Sequence, residues 1–551
     1  MEQKRFKTAN AENIFYNKYA LSPSDSWDNL ARRLVDEVCG TARDKQPLMS
    51  KEDRAQLTQY IKEMKFIPGG RYLYYAGRPA RFYNNCFLLR AEEDSREEWA
   101  AIAQRSTACL MTGGGIGIDY SRLRPSGRLL SRTGGQASGP IPLMHLVNEI
   151  GRNVMQGGSR RSAIYASLNW QHEDVELFLR AKNWRSQLIA PGFTYAQAKE
   201  NNFNAHAPLD MTNISLNWDD AWAANPTNPV FLANVRQAME TGEPGFSFNF
   251  GDKENETLRN ACTEVTSEDD SDVCNLGSVN LSNIDTLAEF IDVVSLGTKF
   301  LVCGTLRAEL PYDKVYNVRE KNRRLGLGIM GIHEWLLKRG LPYEVNDELG
   351  QWLAAYERFS KQSADEHCDR FYISRPVAYR AIAPTGSIGI LAATTTGIEP
   401  LYAVAWKRRY LKNGTQWHYE YVVDTTARHL VETTGVDPDT IETSVDLAYD
   451  YERRIRFQAD VQDYVDMSIS STINLPAWGT EHNNEHLVPA FAETLARYAP
   501  RLRGFTCYPD GSRGGQPLTS VPYKEAIQNE GTVFVETDVC DITGKGGVCG
   551  S

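Results

Sequence analysis

The sequence predicts an α/β fold, and three observations predict it. A chain of 551 residues exceeds the size at which one ordinary core stops growing, so it forms either several domains or one large α/β barrel with additions. From about Asn85 onward, short apolar runs alternate with amphipathic helical spacing, the pattern of parallel strands joined by helical crossovers. Glycine is concentrated between these segments, in Gly113-Gly114-Gly115-Ile116-Gly117, Thr133-Gly134-Gly135 and Gln156-Gly157-Gly158, where loops should meet a ligand.

Taken in order, residues 10 to 65 carry helical periodicity: Trp27, Leu30, Leu34 and Val35 recur at three- and four-residue steps, as do Leu57, Ile61 and Met64. They predict an N-terminal helical region. Cys86-Phe87-Leu88-Leu89 and Leu325-Gly326-Leu327-Gly328-Ile329-Met330 read as buried strands. The acidic run Ser267-Glu268-Asp269-Asp270-Ser271-Asp272 lacks the spacing of a cation-binding loop and reads as a solvated hairpin tip. The glycine-rich end of the chain, with Cys540 and Cys549, reads as a mobile arm carrying a dithiol, because a zinc knuckle needs more ligands than two Cys.

Bulk properties narrow the function. A formal charge of −10 argues against nucleic-acid or anionic-membrane partners and favours a metabolite. The first residues lack the apolar core of a signal peptide, and no run of about 18 apolar residues occurs, so a soluble cytoplasmic protein is expected. Ten scattered Cys do not make a disulfide scaffold and point to reduced thiols, a few of them redox-active.

The most telling segment is Asn260-Ala261-Cys262-Thr263-Glu264, followed by Cys274-Asn275-Leu276-Gly277-Ser278-Val279-Asn280-Leu281. On extended backbone, residues i, i+2 and i+4 point the same way. A thiol between an amide and a carboxylate would then face one pocket, which predicts sulfur chemistry with its own acid/base partner.

These motifs and others together resemble the ribonucleotide reductase catalytic subunits of the adenosylcobalamin-dependent class. The resemblance runs through Phe66-Ile67-Pro68-Gly69-Gly70-Arg71, Asn84-Asn85-Cys86, the run from Gly113 to Pro125, Arg324 to Gly331, Ala383-Pro384-Thr385-Gly386-Ser387-Ile388-Gly389, Thr396 to Pro400, Thr472 to Pro476 and the terminal Cys pair. It implies a ten-stranded α/β barrel assembled from two five-stranded parallel halves. The implied division is an N-terminal helical region at 1–80, a catalytic barrel at 81–535 and a flexible redox tail at 536–551.

By the same resemblance, Cys262 is the thiyl-radical Cys, Glu264 accepts the 3'-hydroxyl proton, and Asn260 holds substrate and carboxylate by hydrogen bonds. Cys86 and Cys274 are the reducing pair that closes to a disulfide, and Cys540 and Cys549 reduce it again by thiol exchange with a thioredoxin-like partner. Asn85, Gly114, Gly115 and the turn Pro384-Thr385-Gly386-Ser387-Ile388 are expected at the nucleotide, the last presenting backbone N–H groups to phosphate. Gly70 departs from the pattern, since a substrate-contacting Ser or Thr is common there. Cys39, Cys109, Cys303, Cys368 and Cys507 match no role and read as buried structural thiols. No metal site is expected.

The radical source separates the classes. The stretch Gly504-Phe505-Thr506-Cys507-Tyr508-Pro509-Asp510-Gly511-Ser512-Arg513 has no adjacent Tyr pair of the oxygen-dependent class and resembles the cobalamin-dependent one. The rival readings are an oxygen-dependent subunit needing a separate radical generator and a silent nucleotide-binding regulator on the same scaffold. The substrate is a ribonucleoside di- or triphosphate, and the protein a homodimer or monomer. A deoxynucleoside triphosphate effector is expected near Asp94, Ser95 and the loop from Ser126 to Gly135, with an ordinary acidic turn and glycine loop as the alternative. No separate activity site is expected.

Overall fold

In the computed structural model, which describes residues 5–41, 46–154, 162–202, 205–412, 416–512 and 518–535, the apolar runs form two sets of parallel strands. After a short strand β1 (Phe66–Pro68), the first set is β2 (Cys86–Arg90), β3 (Gly115–Asp119), β4 (Ile164–Asn169), β5 (Thr212–Trp218) and β6 (Gly245–Phe248), paired in parallel in that order. Helices Arg96–Met111, Pro140–Asn153 and Pro229–Thr241 make the crossovers from β2 to β3, β3 to β4 and β5 to β6. Ser95 caps the first of these, accepting from Glu98 N at 3.1 Å.

The second set begins with β7 (Asp272–Asn280) and β8 (Leu325–Met330), which pair in parallel and are joined through helix Leu287–Arg307. From β8 the pairing passes by a bridge at Leu327 and Arg380 to residues 380–382, and by one at Ile382 and Ile469 to residues 467–475, which contain β9 (Ile473–Leu475). Residues 504–509 complete the set with β10 (Gly504–Phe505) and β11 (Cys507–Pro509), the latter parallel to β9. The two sets meet antiparallel at both seams, β7 against β2 and β10 against β6. The circuit of pairings therefore returns to its first strand through five passages in each half, the ten-stranded barrel that the resemblance implies.

Side-chain alternation sorts the strands into two layers. Phe87, Leu89, Ile116, Ile118, Ile164, Leu168, Ile214 and Leu216 point outward and share one core with the crossover helices. Cys86, Leu88, Cys274, Leu276, Ala381 and Ala383 point inward and pack with Leu258, Val265 and Met467 in a separate small cluster inside the barrel. Helices Trp27–Val38 and Lys51–Lys62 bear out most of the N-terminal periodicity: Trp27, Leu30, Leu34, Val35, Leu57 and Ile61 are buried, in one core with helix Leu287–Arg307 and β8, but the second helix ends at Lys62, and Met64 reaches the same core from beyond it, at a left-handed φ of +56°.

The acidic run corrects its expectation. Glu268 is exposed, but Asp270, Ser271 and Asp272 are buried, because the chain turns here directly into β7 at the centre of the wall. The carboxylates are matched by cations: Asp270 by Arg105 and Lys314, each at 2.6 Å, Asp272 by Arg324 at 2.6 Å, and Asp269 by Lys321 at 2.9 Å. Burying a charged carboxylate is costly unless it is paired in this way. The acidic run is thus a hub of ion pairs tying β7 to its neighbours.

The tail expectation at Cys540 and Cys549, and the cluster at Gln156 to Arg161, lie outside the described residues. Among the described residues no helix is long and apolar enough to cross a membrane, and no three His, Cys, Asp or Glu side chains are grouped to hold a metal ion.

Candidate active site

A hairpin ends inside the barrel and carries the central segment. Leu258–Arg259 pairs antiparallel with Thr266–Ser267, and residues 260–265 form its tip. The inward face of β3 makes room for it. A Cβ on Gly117 would lie 1.7 Å from the Arg259 carbonyl oxygen, one on Gly115 would lie 2.9 Å from Ala261 Cβ, and Asp119 Oδ2 accepts from Thr257 Oγ1 at 2.7 Å. Backbone crosses so close to Gly117 that no side chain fits there. Much of the glycine motif is explained by this passage.

Both halves of the barrel grip the hairpin by polar groups. Ser468 N donates to the Glu264 carbonyl at 2.8 Å, Arg503 pairs with Glu256 at 2.8 Å, and the Arg259 guanidinium donates to Asn249 Oδ1 at 2.8 Å and to the Arg503 carbonyl at 3.0 Å. Burial, aided by the cation of Arg503, brings Arg259 down to about 9. Burial alone would push the Glu256 carboxyl up, but Arg503 and Arg324 outweigh it and hold it at about 2. The tip is held from both walls.

At the tip the backbone is not extended. Thr263 N donates to the Asn260 carbonyl at 3.0 Å, closing a turn, and Thr263 takes φ +71°, a left-handed conformation unusual for a β-branched residue. Asn260, Cys262 and Glu264 still line one pocket, brought together by the turn rather than by strand alternation. The expected convergence is present, and its expected geometry is corrected.

Two thiols meet this triad. Cys86 opens β2 and stands directly opposite Cys274 of β7 in antiparallel register. Opposed residues of such a pair have Cα atoms roughly 4.5–5.5 Å apart, inside the range a disulfide spans. Asn260 Nδ2 donates to Cys86 Sγ at 3.0 Å, Cys86 Sγ donates to Glu264 Oε1 at 3.8 Å, and Val265 N donates to Asn260 Oδ1 at 2.9 Å. Cys86 lines the pocket, whereas Cys274 is fully buried behind it.

The electrostatics suit proton handling. Glu264 is 1 % exposed, and burial raises its carboxyl to about 7 against the hydrogen bonds that favour the anion. Burial, reinforced by Glu264, pushes the Cys86 thiol up; burial and Asp272 do the same for Cys274. Both thiols therefore rest protonated, beside a carboxyl that changes charge near neutrality. Such a set can pass a proton and close a disulfide.

The remaining expectations divide. Asn85, Gly115 and residues 384–388 line the pocket with the triad. Thr385 takes φ +53° at the start of the short helix Gly386–Ala392, and its Oγ1 accepts from Gly397 N at 2.8 Å. Gly114 is not among the lining residues: a Cβ on it would strike the Phe87 ring at 2.5 Å, on the outer layer of the barrel. Asp94 pairs with Arg124 at 2.5 Å and Ser95 caps its helix, both outside the pocket. Cys39, Cys109, Cys303, Cys368 and Cys507 are all buried. Tyr19 and Ser278 also line the pocket, and neither is among the residues expected there from the sequence. Ser278 stands two steps of two beyond Cys274 on β7, a signal the sequence carried; Tyr19 arrives from an N-terminal helix that no spacing ties to the pocket.

A second cleft, of about 530 Å³, opens where β9 and β11 end, lined by Tyr402, Tyr449, Leu475, Pro476, Tyr508 and Leu518 with Asn474, Asp510, Thr519 and Ser520 among its polar groups. Residues 384–388 follow strand residues 380–382 of the same half, so both openings lie at the end of the barrel where the strands of the second half terminate.

Comparison with known proteins agrees with this architecture. A family model described as ribonucleotide reductase, barrel domain, matches residues 84–203, 199–350 and 375–496. The chain is 26% identical to a vitamin B12-dependent ribonucleoside-diphosphate reductase of Mycobacterium tuberculosis, over 93% of this chain and 80% of that protein. It is 26% identical to one of the same description from Thermoplasma acidophilum, over 84% of this chain and 66% of that protein. A putative adenosylcobalamin-dependent ribonucleoside-triphosphate reductase of Mycobacterium phage D29 is likewise 26% identical, over 80% and 72%.

Proposed function

The chain belongs to the ribonucleotide reductase family, and from that membership we propose that it reduces ribonucleotides to 2'-deoxyribonucleotides by thiol radical chemistry started by adenosylcobalamin. The observation that carries the reading is the opposed pair Cys86 and Cys274 beside Cys262 and Glu264.

In this reading Cys262, as a thiyl, takes the hydrogen atom from the ribose 3'-carbon. Glu264 takes the 3'-hydroxyl proton, which promotes loss of the 2'-hydroxyl as water. Asn260 holds the Cys86 sulfur at the substrate and, through Val265 N, fixes the tip. Cys86 and Cys274 supply two electrons and two protons and become a disulfide, and Cys262 returns its hydrogen atom to the 3'-carbon. The balance is one ribonucleotide and one dithiol giving one deoxyribonucleotide, one water and one disulfide. Enclosure of Cys262 by the barrel wall keeps other reductants from the radical.

Adenosylcobalamin, when bound, supplies the one-electron oxidising equivalent that removes the hydrogen atom from a thiol. The chain's residues fit such a group: the cleft beside β9 and β11 offers a wide aromatic and apolar face in Tyr402, Tyr449, Leu475, Pro476, Tyr508 and Leu518, with Asn474, Thr519 and Ser520 to meet amide side chains. The similar reductases described as vitamin B12-dependent or adenosylcobalamin-dependent support this choice of cofactor.

The same reading takes residues 1–80 as a helical region, 81–535 as the catalytic barrel and 536–551 as a tail whose Cys540 and Cys549 pass electrons from a thioredoxin-like reductant. It takes residues 384–388, Asn85 and Gly115 as the nucleotide wall, and the surface near Asp94 and Ser95 as the site of a deoxynucleoside triphosphate effector.

The test is direct. Protein incubated with adenosylcobalamin, a dithiol and a ribonucleoside di- or triphosphate, with no second protein, is expected to form the deoxyribonucleotide. Formation only after a metal-containing partner is added contradicts the cobalamin assignment.

A further inference from the structure

The pocket wall at Gly70 is met by a hydroxyl from far away in the chain. A Cβ on Gly70 would have a single neighbour within 4 Å, Tyr19 Oη at 3.3 Å. Tyr19 lines the pocket together with Asn85, Cys262, Ser278 and Ser387, and is 4 % exposed. Its ring is committed to the core while its hydroxyl reaches the cavity wall, the usual disposition of a tyrosine that serves a binding site.

The backbone that delivers it is unusual. Helix Ala9–Ile14 widens into a π-helical turn over Phe15–Tyr19, with Ala20 N donating to the Phe15 carbonyl at 3.0 Å. Such turns are rare and collect at functional positions, because the wider winding re-aims a side chain that regular helix would place elsewhere. The neighbouring Lys18 Nζ donates to Ser387 Oγ at 3.2 Å, and the N-terminal helix packs against helix Gly386–Ala392. One turn thus brings a phenol to Gly70 and an ammonium to the 384–388 wall.

Building on the nucleotide reading of this pocket, we infer that Tyr19 is a substrate-binding residue. Its hydroxyl donates a hydrogen bond to the phosphate-bearing end of the ribonucleotide, from the stretch of wall where residue 70 has no side chain. Lys18, held at Ser387, adds positive charge at the same end. The N-terminal helix is therefore part of the substrate site rather than only a brace on the barrel.

Removing one hydrogen bond to a charged ligand costs about tenfold in affinity. In the full-length protein, Tyr19→Phe is expected to raise both the KM and the equilibrium dissociation constant for the ribonucleotide about tenfold, with kcat within about twofold and the thermal midpoint unchanged. A serine at 70 lies next to the space the phenol oxygen vacates, so Gly70→Ser added to Tyr19→Phe is expected to recover most of the lost affinity. Unchanged binding by Tyr19→Phe overturns the inference, as does a loss that follows a lowered thermal midpoint and is not recovered by Gly70→Ser. Failure of the unaltered protein to bind any ribonucleotide instead overturns the functional reading itself, and this inference with it.

Discussion

Cys262→Ser protein binds ribonucleotide within about twofold of the unaltered protein and forms no detectable deoxyribonucleotide, a loss of at least about 10⁴-fold in turnover. A serine hydroxyl occupies the space of the thiol and keeps the turn at the hairpin tip. Its O–H bond is far stronger than S–H, so the oxygen cannot exchange a hydrogen atom with ribose carbon at modest cost. Cys262 is partly exposed in the pocket and absent from the packed clusters, so its replacement leaves the core intact. Binding by isothermal titration beside product formation by chromatography separates the two effects. Residual turnover within about tenfold of the unaltered protein would remove Cys262 from the chemistry.

Glu264→Gln lowers turnover by about 10²- to 10⁴-fold, the usual worth of a positioned general base. It also changes how stability depends on pH. Burial raises the carboxyl from 4.5 to about 7 in the folded chain, so folding favours the protonated form. That favourable contribution is complete below about pH 4.5 and is lost as pH rises through about 7. Above pH 7 the folded protein carries a buried carboxylate at a cost of about 3 kcal/mol, order of magnitude, relative to a neutral group. Glutamine has no such dependence. Urea denaturation is therefore expected to find the variant close to the unaltered protein near pH 4 and more stable than it at pH 8. In the unaltered protein, turnover should rise with pH around 7 as the base form is populated, and the variant should lack this limb. Equal pH dependence of stability in the two proteins would show that Glu264 titrates elsewhere.

Much of this architecture is legible in the sequence where a local period decides it. The spacing of Trp27, Leu30, Leu34 and Val35 specifies a helix face, and Cys86 to Leu89 and Leu325 to Met330 form strands as their apolar runs require. The gathering of Asn260, Cys262 and Glu264 is legible too, but not its cause, since it rests on the left-handed Thr263 closing a turn onto the Asn260 carbonyl, which no residue spacing signals. The acidic run misleads because composition reports charge and not burial; Arg105 comes from the helix after β2, Lys314 from the start of the helix Asp313–Asn322 before β8, and Arg324 from just past its end. Gly114 and Gly115 are indistinguishable as letters, yet strand alternation turns one to Phe87 and the other to Ala261. Tyr19 was out of reach, because only the closed barrel and the π turn bring it to Gly70.

The central claim is that Cys86 and Cys274 deliver the electrons for a reaction carried by Cys262. Protein with Cys540→Ser and Cys549→Ser, pre-reduced and freed of external thiol, is mixed with adenosylcobalamin and ribonucleotide for a single turnover, then alkylated and mapped by peptide mass spectrometry. The account predicts a Cys86–Cys274 disulfide in amount equal to the deoxyribonucleotide formed. Deoxyribonucleotide formed while Cys86 and Cys274 both remain alkylatable would contradict it.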